Sequence, residues 1–569
     1  MIQRLILAVW LLTASLWVSA NAAGTDSSRL RVAIVQMVQA PTLAANRDRI
    51  LAGIAEAARR DPRVIVFPEE SLMGQGSDDL TVVGAAVAAI RRAAQEKGVY
   101  VMFGAATRTK TLTKNVNWML VIGPDGRDVF RYEKLYDQPT APMPGVFNIE
   151  GIPCNAIICA DRWLRGVEEV PIQQGAKVSF ELSCNSAIEW VAPFEWYWYV
   201  PRAVRNNVWV IFANMGNTVS GEVSYPGAHL RHGHSAIIAP DGRMVAGAKD
   251  DVATILVEDI DVRESTRAEA LARSRHPALR GFWEAGLKRQ AGQEVAVAPF
   301  TPLKSPSIDI TIAAAQSVND LPAMEAKIRE AHVRKADIVV FPARAASEAE
   351  LLRVQTAARE NAIVVVFGAE HRVDGRTWNS AFVIGPDGTL LTRYDQVSAT
   401  KPYEAGSELG TMWFRVKGVS AVVTIGRDGL WSELSELAAA AGAQIHVHLD
   451  HDRAVGSAAL FRQQVWCNLA SFQTFSATVN VIDCMIWDDL RSFEERRAPA
   501  GERLAGSDEA EVYSQFSANL VARTQRADDL LVVTRHVNPA NLYHSRSIVK
   551  KNPQMEAWYR YGAASLQPK

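Results

Sequence analysis

Net charge of either sign is missing from this 569-residue sequence, cysteine is scarce, and past the first two dozen residues there is no long apolar run. With 61 basic residues against 62 acidic, no overall field draws the chain to nucleic acid or to an anionic membrane surface. No segment after residue 23 is long and apolar enough to cross a bilayer, so no membrane span is expected in the mature chain. Tracts of Gly, Ser, Pro or like charge are also lacking, which argues against extended disorder. The five cysteines, Cys154, Cys159, Cys184, Cys467 and Cys484, are too few for a disulfide scaffold and odd in number, so in an exported protein at least one thiol stays unpaired.

What is present begins with a leader. Arg4 precedes a mostly apolar run from Leu5 to Val18, followed by the small residues Ser19-Ala20-Asn21-Ala22-Ala23. This layout predicts a signal peptide over 1–22 with an Ala-x-Ala cleavage site, and hence a secreted or periplasmic protein. The absence of a cysteine beside that site argues against a lipoprotein anchor. The remainder is 48% hydrophobic and 22% charged overall, ordinary for a folded chain, and its length suits two large domains.

An internal repeat supports that division. Val64-Ile-Val-Phe-Pro-Glu69 returns as Ile338-Val-Val-Phe-Pro-Ala343, and Val121-Ile-Gly-Pro-Asp-Gly126 returns unchanged as Val383 to Gly388. Arg131-Tyr132 returns as Arg393-Tyr394, and His276-Pro277 before Phe282-Trp283 corresponds to Asn552-Pro553 before Trp558-Tyr559. The expected domains are 23–292 and 308–569, joined by a proline-containing linker over 293–307. In each, short β-branched runs (32–37, 64–67, 100–103 and 310–315) read as buried strands. Ile50, Leu51, Ile54 and Ala58, and later Met324, Ile328 and Ala331, are spaced for one helix face. Both Pro-Asp-Gly sequences predict tight turns between strands. The pattern is that of an α/β layered protein.

Three motifs then appear in order: Val-Phe-Pro-Glu69 after a strand, Arg-Tyr-Glu-Lys134 after the turn, and Ile-Ile-Cys159-Ala-Asp161-Arg162 after a third strand. Together they resemble the nitrilase superfamily of carbon-nitrogen hydrolases. The resemblance implies two tandem αββα sandwich domains, a Glu69, Lys134, Cys159 triad, and an intramolecular pairing of the halves like the dimers of that family. The chemistry of the residues is consistent with it. A thiolate is a strong nucleophile, a buried carboxylate of raised pKa can accept its proton, and a lysine with the backbone N–H of Ala160 can stabilise the resulting oxyanion. No metal or organic cofactor is required. In the second copy the three positions are Ala343, Gln396 and Gly426, so that copy has no base, cation or nucleophile.

Cys159-Ala-Asp-Arg-Trp163 is more similar to amidase and carbamoylase members than to true nitrilases, implying a small amide or N-carbamoyl substrate. Asp161, Arg162, Trp163 and Trp190 are the candidate substrate-binding residues. The aromatic stretch from Trp190 to Tyr199 suits a pocket wall or packed core equally. Many family members place another glutamate between lysine and cysteine, but Leu135 to Gly145 contains none; Asp137 is a nearby substitute and Glu150 lies further on. His446, His448 and His451 are read as structural, not as metal ligands. Two other functions use the same residues: a non-catalytic binding or scaffold protein, and acyl transfer from the same thioester. Oligomeric state, further homo-oligomers included, is open.

Overall fold

A computed structural model describes residues 28–107, 116–136, 141–185, 196, 199–219, 222–223, 231–295, 300–315, 320–343, 345–450, 475–479, 484–488, 503–506, 511–515, 519–524, 530–537 and 553–568. The leader, Asp137, Trp190, Trp198, His451 and Cys467 lie outside these residues, as do the side chains of Trp163 and Cys484.

In the first half, strands β1 (Arg29–Gln36), β2 (Val64–Val66), β3 (Tyr100–Thr107), β4 (Val116–Ile122) and β5 (Asp128–Glu133) form one sheet, closed at the β1 edge by Thr254–Asp261. A second sheet contains β6 (Phe147–Ile149), β7 (Ile152–Ile158), β8 (Val178–Ser183) and β9 (Trp209–Asn214), continuing through Ala236–Ile238 and Met244–Gly247. The central strands β1 to β3 and β7 to β9 run parallel, which explains their unbroken apolar character. Alternation along β1 sorts its side chains. Val32 and Ile34 belong to the same buried cluster as Ile158 and Phe180 of the second sheet, while Ala33 and Val35 belong to the cluster that includes Ile50 and Ile54 of helix Leu43–Ala58 and Ile90 of helix Leu80–Lys97. Helix Leu43–Ala58 buries Ile50, Ile54 and Ala57, with Leu51 and Ala58 only half-buried at the edge of the apolar stripe. Thr42 caps it by accepting the N–H of Ala45 at 3.2 Å.

The second half repeats the plan. One sheet runs Leu390–Asp395, Arg376–Ile384, Val364–Val373, Ile338–Val340, Ile308–Ala315, Leu530–Val537. The other begins Trp413–Val416, Val419–Ile425, Ile445–Leu449, Phe475–Val479 and Cys484–Asp488. Met324, Ile328 and Ala331 are all buried on helix Leu321–Val333. In both copies the Pro-Asp-Gly turn joins antiparallel neighbours, with Gly126 and Gly388 at φ +77° and +82°.

The halves share a hydrophobic core that includes Leu164 and Val167 of the first copy and Leu434, Leu437 and Trp558 of the second. Helices Pro277–Gln290 and Pro553–Leu566 stack across the junction, where Phe282 and Trp558 lie parallel with centroids 4.9 Å apart. The relation is two-fold-like. Gly166, on helix Arg165–Gln174, donates its N–H to Tyr559 at 3.4 Å, and Glu433, on helix Ser432–Ala441, accepts from Trp283 Nε1 at 3.0 Å. A Cβ on Gly166 would lie 2.0 Å from Trp558, so the indole fits only against glycine. Replacing Trp558 with alanine should cost about 3–5 kcal/mol, because this wholly buried ring fills the junction. Equilibrium urea unfolding measures this, and a loss below about 1 kcal/mol would contradict the packing described.

Candidate active site

Glu69 follows β2 at the end of the first sheet and is 1% exposed. Its Oε1 accepts from Lys134 Nζ at 2.7 Å and from Asn117 Nδ2 at 2.7 Å, while Oε2 accepts the backbone N–H of Cys184 at 3.0 Å. Lys134 comes directly after β5 and Asn117 lies on β4, so three strands of one sheet assemble the pair. Gly104 on β3 makes room for it: a Cβ there would fall 2.6 Å from Glu69 Cα.

The sequence predicted a raised glutamate pKa, and the structure reverses that sign. Burial does oppose the charge, but the Lys134 ammonium and the hydrogen bonds from Lys134, Cys184 and Asn117 outweigh it, holding the carboxyl below its ordinary range. Glu69 is therefore an ionised acceptor at neutral pH.

Cys159 comes from the other sheet. It directly follows β7 and opens the 3₁₀ turn Cys159–Trp163 with φ +45°, a left-handed conformation costly for any residue other than glycine. The thiol points at Asn185 Oδ1, 3.2 Å away, and Arg162 Nη1 lies 3.7 Å from Sγ. Adjacent residues thus join the two halves of the site: Cys184 also donates its thiol to Glu69 at 3.1 Å, and Asn185 accepts from Cys159. Ala160 is in the first turn of the 3₁₀ segment, where backbone N–H groups lie outside the helical ladder and suit an oxyanion.

The other candidates divide. Asp161 is not at the pocket surface. It is wholly buried and accepts from Tyr132 Oη at 2.8 Å, Tyr136 N at 2.8 Å and Ile158 N at 3.3 Å, so it fastens the Cys159 turn and is not exposed to a ligand. Burial raises its pKa to about 7 against those donors and the nearby Lys134 charge. Arg162 is also buried, donating to Glu181 at 3.0 Å and to Asn185 at 3.2 Å. Glu150 pairs with Arg63 at 2.6 Å in the turn between β6 and β7, away from Glu69 and Cys159. Trp196 donates to the carbonyl of His234 at 2.9 Å.

A family profile described as Carbon-nitrogen hydrolase matches residues 31–269 and 306–488. The chain belongs to the carbon-nitrogen hydrolase family. Among the relatives of this carbon-nitrogen hydrolase, the omega-amidase NIT2 of Xenopus tropicalis is 22% identical over 264 residues, covering 41% of the chain and 90% of the relative. NIT2-A of Xenopus laevis is 22% identical over 265 residues, covering 42% and 90%. Among solved structures, an amidase from Nesterenkonia sp. is 19% identical, covering 43% of this chain and 95% of that one, with a TM-score of 0.36.

In the hydrolase's second copy the same framework surrounds different chemistry. Tyr394 Oη donates to Asp428 at 2.6 Å, as Tyr132 does to Asp161, and Gly426 adopts φ +58° where Cys159 has +45°. Gln396 replaces Lys134 and accepts from Asn379 at 2.7 Å, while Ala343 stands in place of the glutamate. A cavity of about 300 Å³ remains there, lined in part by Gln396, Gly426 and Asp450. His446 and His448 share the hydroxyl of Thr424 at 2.9 Å each; burial lowers both to about 3, so both rings are neutral.

Asn117, Cys184, Asn185 and Arg231 were not singled out in the sequence. Asn117 left a signal, since it precedes the repeated Val-Ile-Gly-Pro-Asp-Gly at the same offset as Asn379. Arg231, which donates to the Cys184 carbonyl, has no motif around it.

Proposed function

We propose that the first half hydrolyses small amides through a thioester on Cys159, and that the second half is non-catalytic. The observation that carries this reading is the buried Glu69–Lys134 pair, linked through Cys184 and Asn185 to a cysteine held at positive φ. Glu69 accepts the thiol proton as Sγ attacks the amide carbon, and Lys134 with the Ala160 N–H stabilises the oxyanion. Collapse breaks the C–N bond, the proton on Glu69 passes to the departing amine, and a thioester remains. Water then gives a proton to Glu69 as it attacks the thioester, and that proton returns to sulfur as the acid leaves. The omega-amidases among the relatives support terminal amides as the first substrates to examine.

The test pairs a panel of short aliphatic amides, ω-amides of dicarboxylic acids and N-carbamoyl amino acids, read by ammonia release, with iodoacetamide mapping of the thiols. Cys159 should alkylate first. Burial pushes up the thiol pKa of both Cys154 and Cys184, and the Glu69 and Glu70 charges raise Cys184 further. Ammonia from no member of the panel, together with a Cys159 no faster than the other thiols, would count for a binding or scaffold role.

A further inference from the structure

We propose that Glu433, a residue of the degenerate second half, is a positioning residue for the Cys159 nucleophile of the first. The inference rests on the hydrolase reading of that cysteine and assigns the second half a part in it.

Behind Cys159 lies a buried ladder of alternating charge. Arg162, beside Sγ, pairs with Glu181 at 3.0 Å; Glu181 also pairs with Arg202, which donates to Glu168 at 2.6 and 2.8 Å. These two cations and two anions balance. A second balanced set adjoins it: Arg205 meets Glu169 at 2.8 Å, and Arg273 meets both Glu169 and Glu433 at 3.0 Å. Two helices carry one rung of each set, Arg165–Gln174 through Glu168 and Glu169, and Val200–Asn206 through Arg202 and Arg205. Every side chain in the ladder is at most 5% exposed.

Among the described residues only Glu433 comes from the second half; burial holds its carboxyl above the ordinary range, with the Arg273 charge pulling against that and Glu169 adding to it, and without it Arg205 and Arg273 are left to share Glu169. A buried cation without its anion draws on other carboxylates, here Glu169, whose helix continues directly from the nucleophile's turn. The second copy keeps only part of this ladder: in the corresponding positions of the turn, helix and strand, Arg162, Glu168 and Glu181 become Gly429, Ser435 and His448, whereas Glu169 is matched by the buried Glu436. Glu433 itself corresponds to Gly166, so this carboxylate has no counterpart in the first copy and points across the junction to Arg273 and Trp283.

The experiment uses the full chain and measures iodoacetamide alkylation of Cys159 by peptide mapping in wild type, E433Q, E433D and the R273M/E433L double variant. The double variant removes the charges as a pair, which buried sites tolerate better than loss of one partner, so it remains informative where E433Q folds poorly. Displacement of a reacting group by a distant change lowers rates by on the order of 10- to 100-fold, so E433Q should alkylate Cys159 at least about tenfold more slowly, while E433D, which restores the anion, and the double variant, which removes the cation that needs it, should recover most of the rate. A folded E433Q with the wild-type Cys159 rate, or a folded double variant at least about tenfold slower than wild type, overturns the inference and leaves the hydrolase reading intact. A wild-type Cys159 no faster than Cys154 and Cys184 overturns both.

Discussion

Cys159→Ala should abolish amide turnover, with at least about a thousandfold loss in kcat, because the thioester route has no other attacking atom. The second thiol in the site does not rescue it. Cys184 is engaged by Glu69, and burial with the neighbouring carboxylates disfavours its thiolate. Mass spectrometry of wild type quenched during turnover should show the acyl adduct on the peptide containing Cys159, and the variant should show none. Turnover within tenfold of wild type in the variant would remove Cys159 from the mechanism. Folding should be little affected, since alanine retains the backbone and removes one partly exposed sulfur.

Glu69→Gln should lower kcat by about 10²- to 10⁴-fold, the usual contribution of a positioned general base. The amide keeps the shape of the side chain and can still accept from Asn117, but it neither takes a proton nor balances Lys134. The pH dependence is a second readout. Because the Glu69 carboxyl titrates below its ordinary value of 4.5, it stays ionised well into the acid range, and the acid limb of wild-type activity due to this group should lie below pH 4.5. By linkage, a depressed carboxyl contributes stability that is present above its unfolded pKa and lost as pH falls through the folded one. E69Q should lose that part of the acid sensitivity, measurable as a flatter dependence of the thermal midpoint on pH below 4.5. Unchanged kcat in a folded E69Q protein would require another base.

Much of this was legible in the residues alone. The strand runs, the helix faces and the repeated Pro-Asp-Gly turns follow from local chemistry, since side-chain period and turn geometry are decided within a few residues. The Glu69, Lys134 and Cys159 positions stand out because their three motifs come in the order of the nitrilase superfamily, and the second copy keeps the framework without them. The errors arose where a residue's role depends on what faces it across the fold. Asp161 sits in the Cys159 motif, where the resemblance implies a substrate contact, but Tyr132 on β5 and the Tyr136 N–H just beyond it reach it across the fold and make it a strut. For Glu69 the sequence places Lys134 in the same triad but not its contact with the carboxylate, and the ammonium donating at 2.7 Å reverses the sign that burial alone implies.

The sequence by itself determined that there are two copies of one α/β framework and that only the first carries a glutamate, a lysine and a cysteine in the order of the hydrolase family. Periodicity, turn residues and repeated motifs are local properties, and comparison of the copies needs no coordinates. The packed fold adds that Glu69 is held ionised by Lys134, that Cys184 and Asn185 link Glu69 to Cys159, and that Glu433 of the second copy pairs with Arg273 of the first. Those are long-range electrostatic contacts between side chains remote in sequence, and their energies depend on distance and burial, which only the packed fold sets.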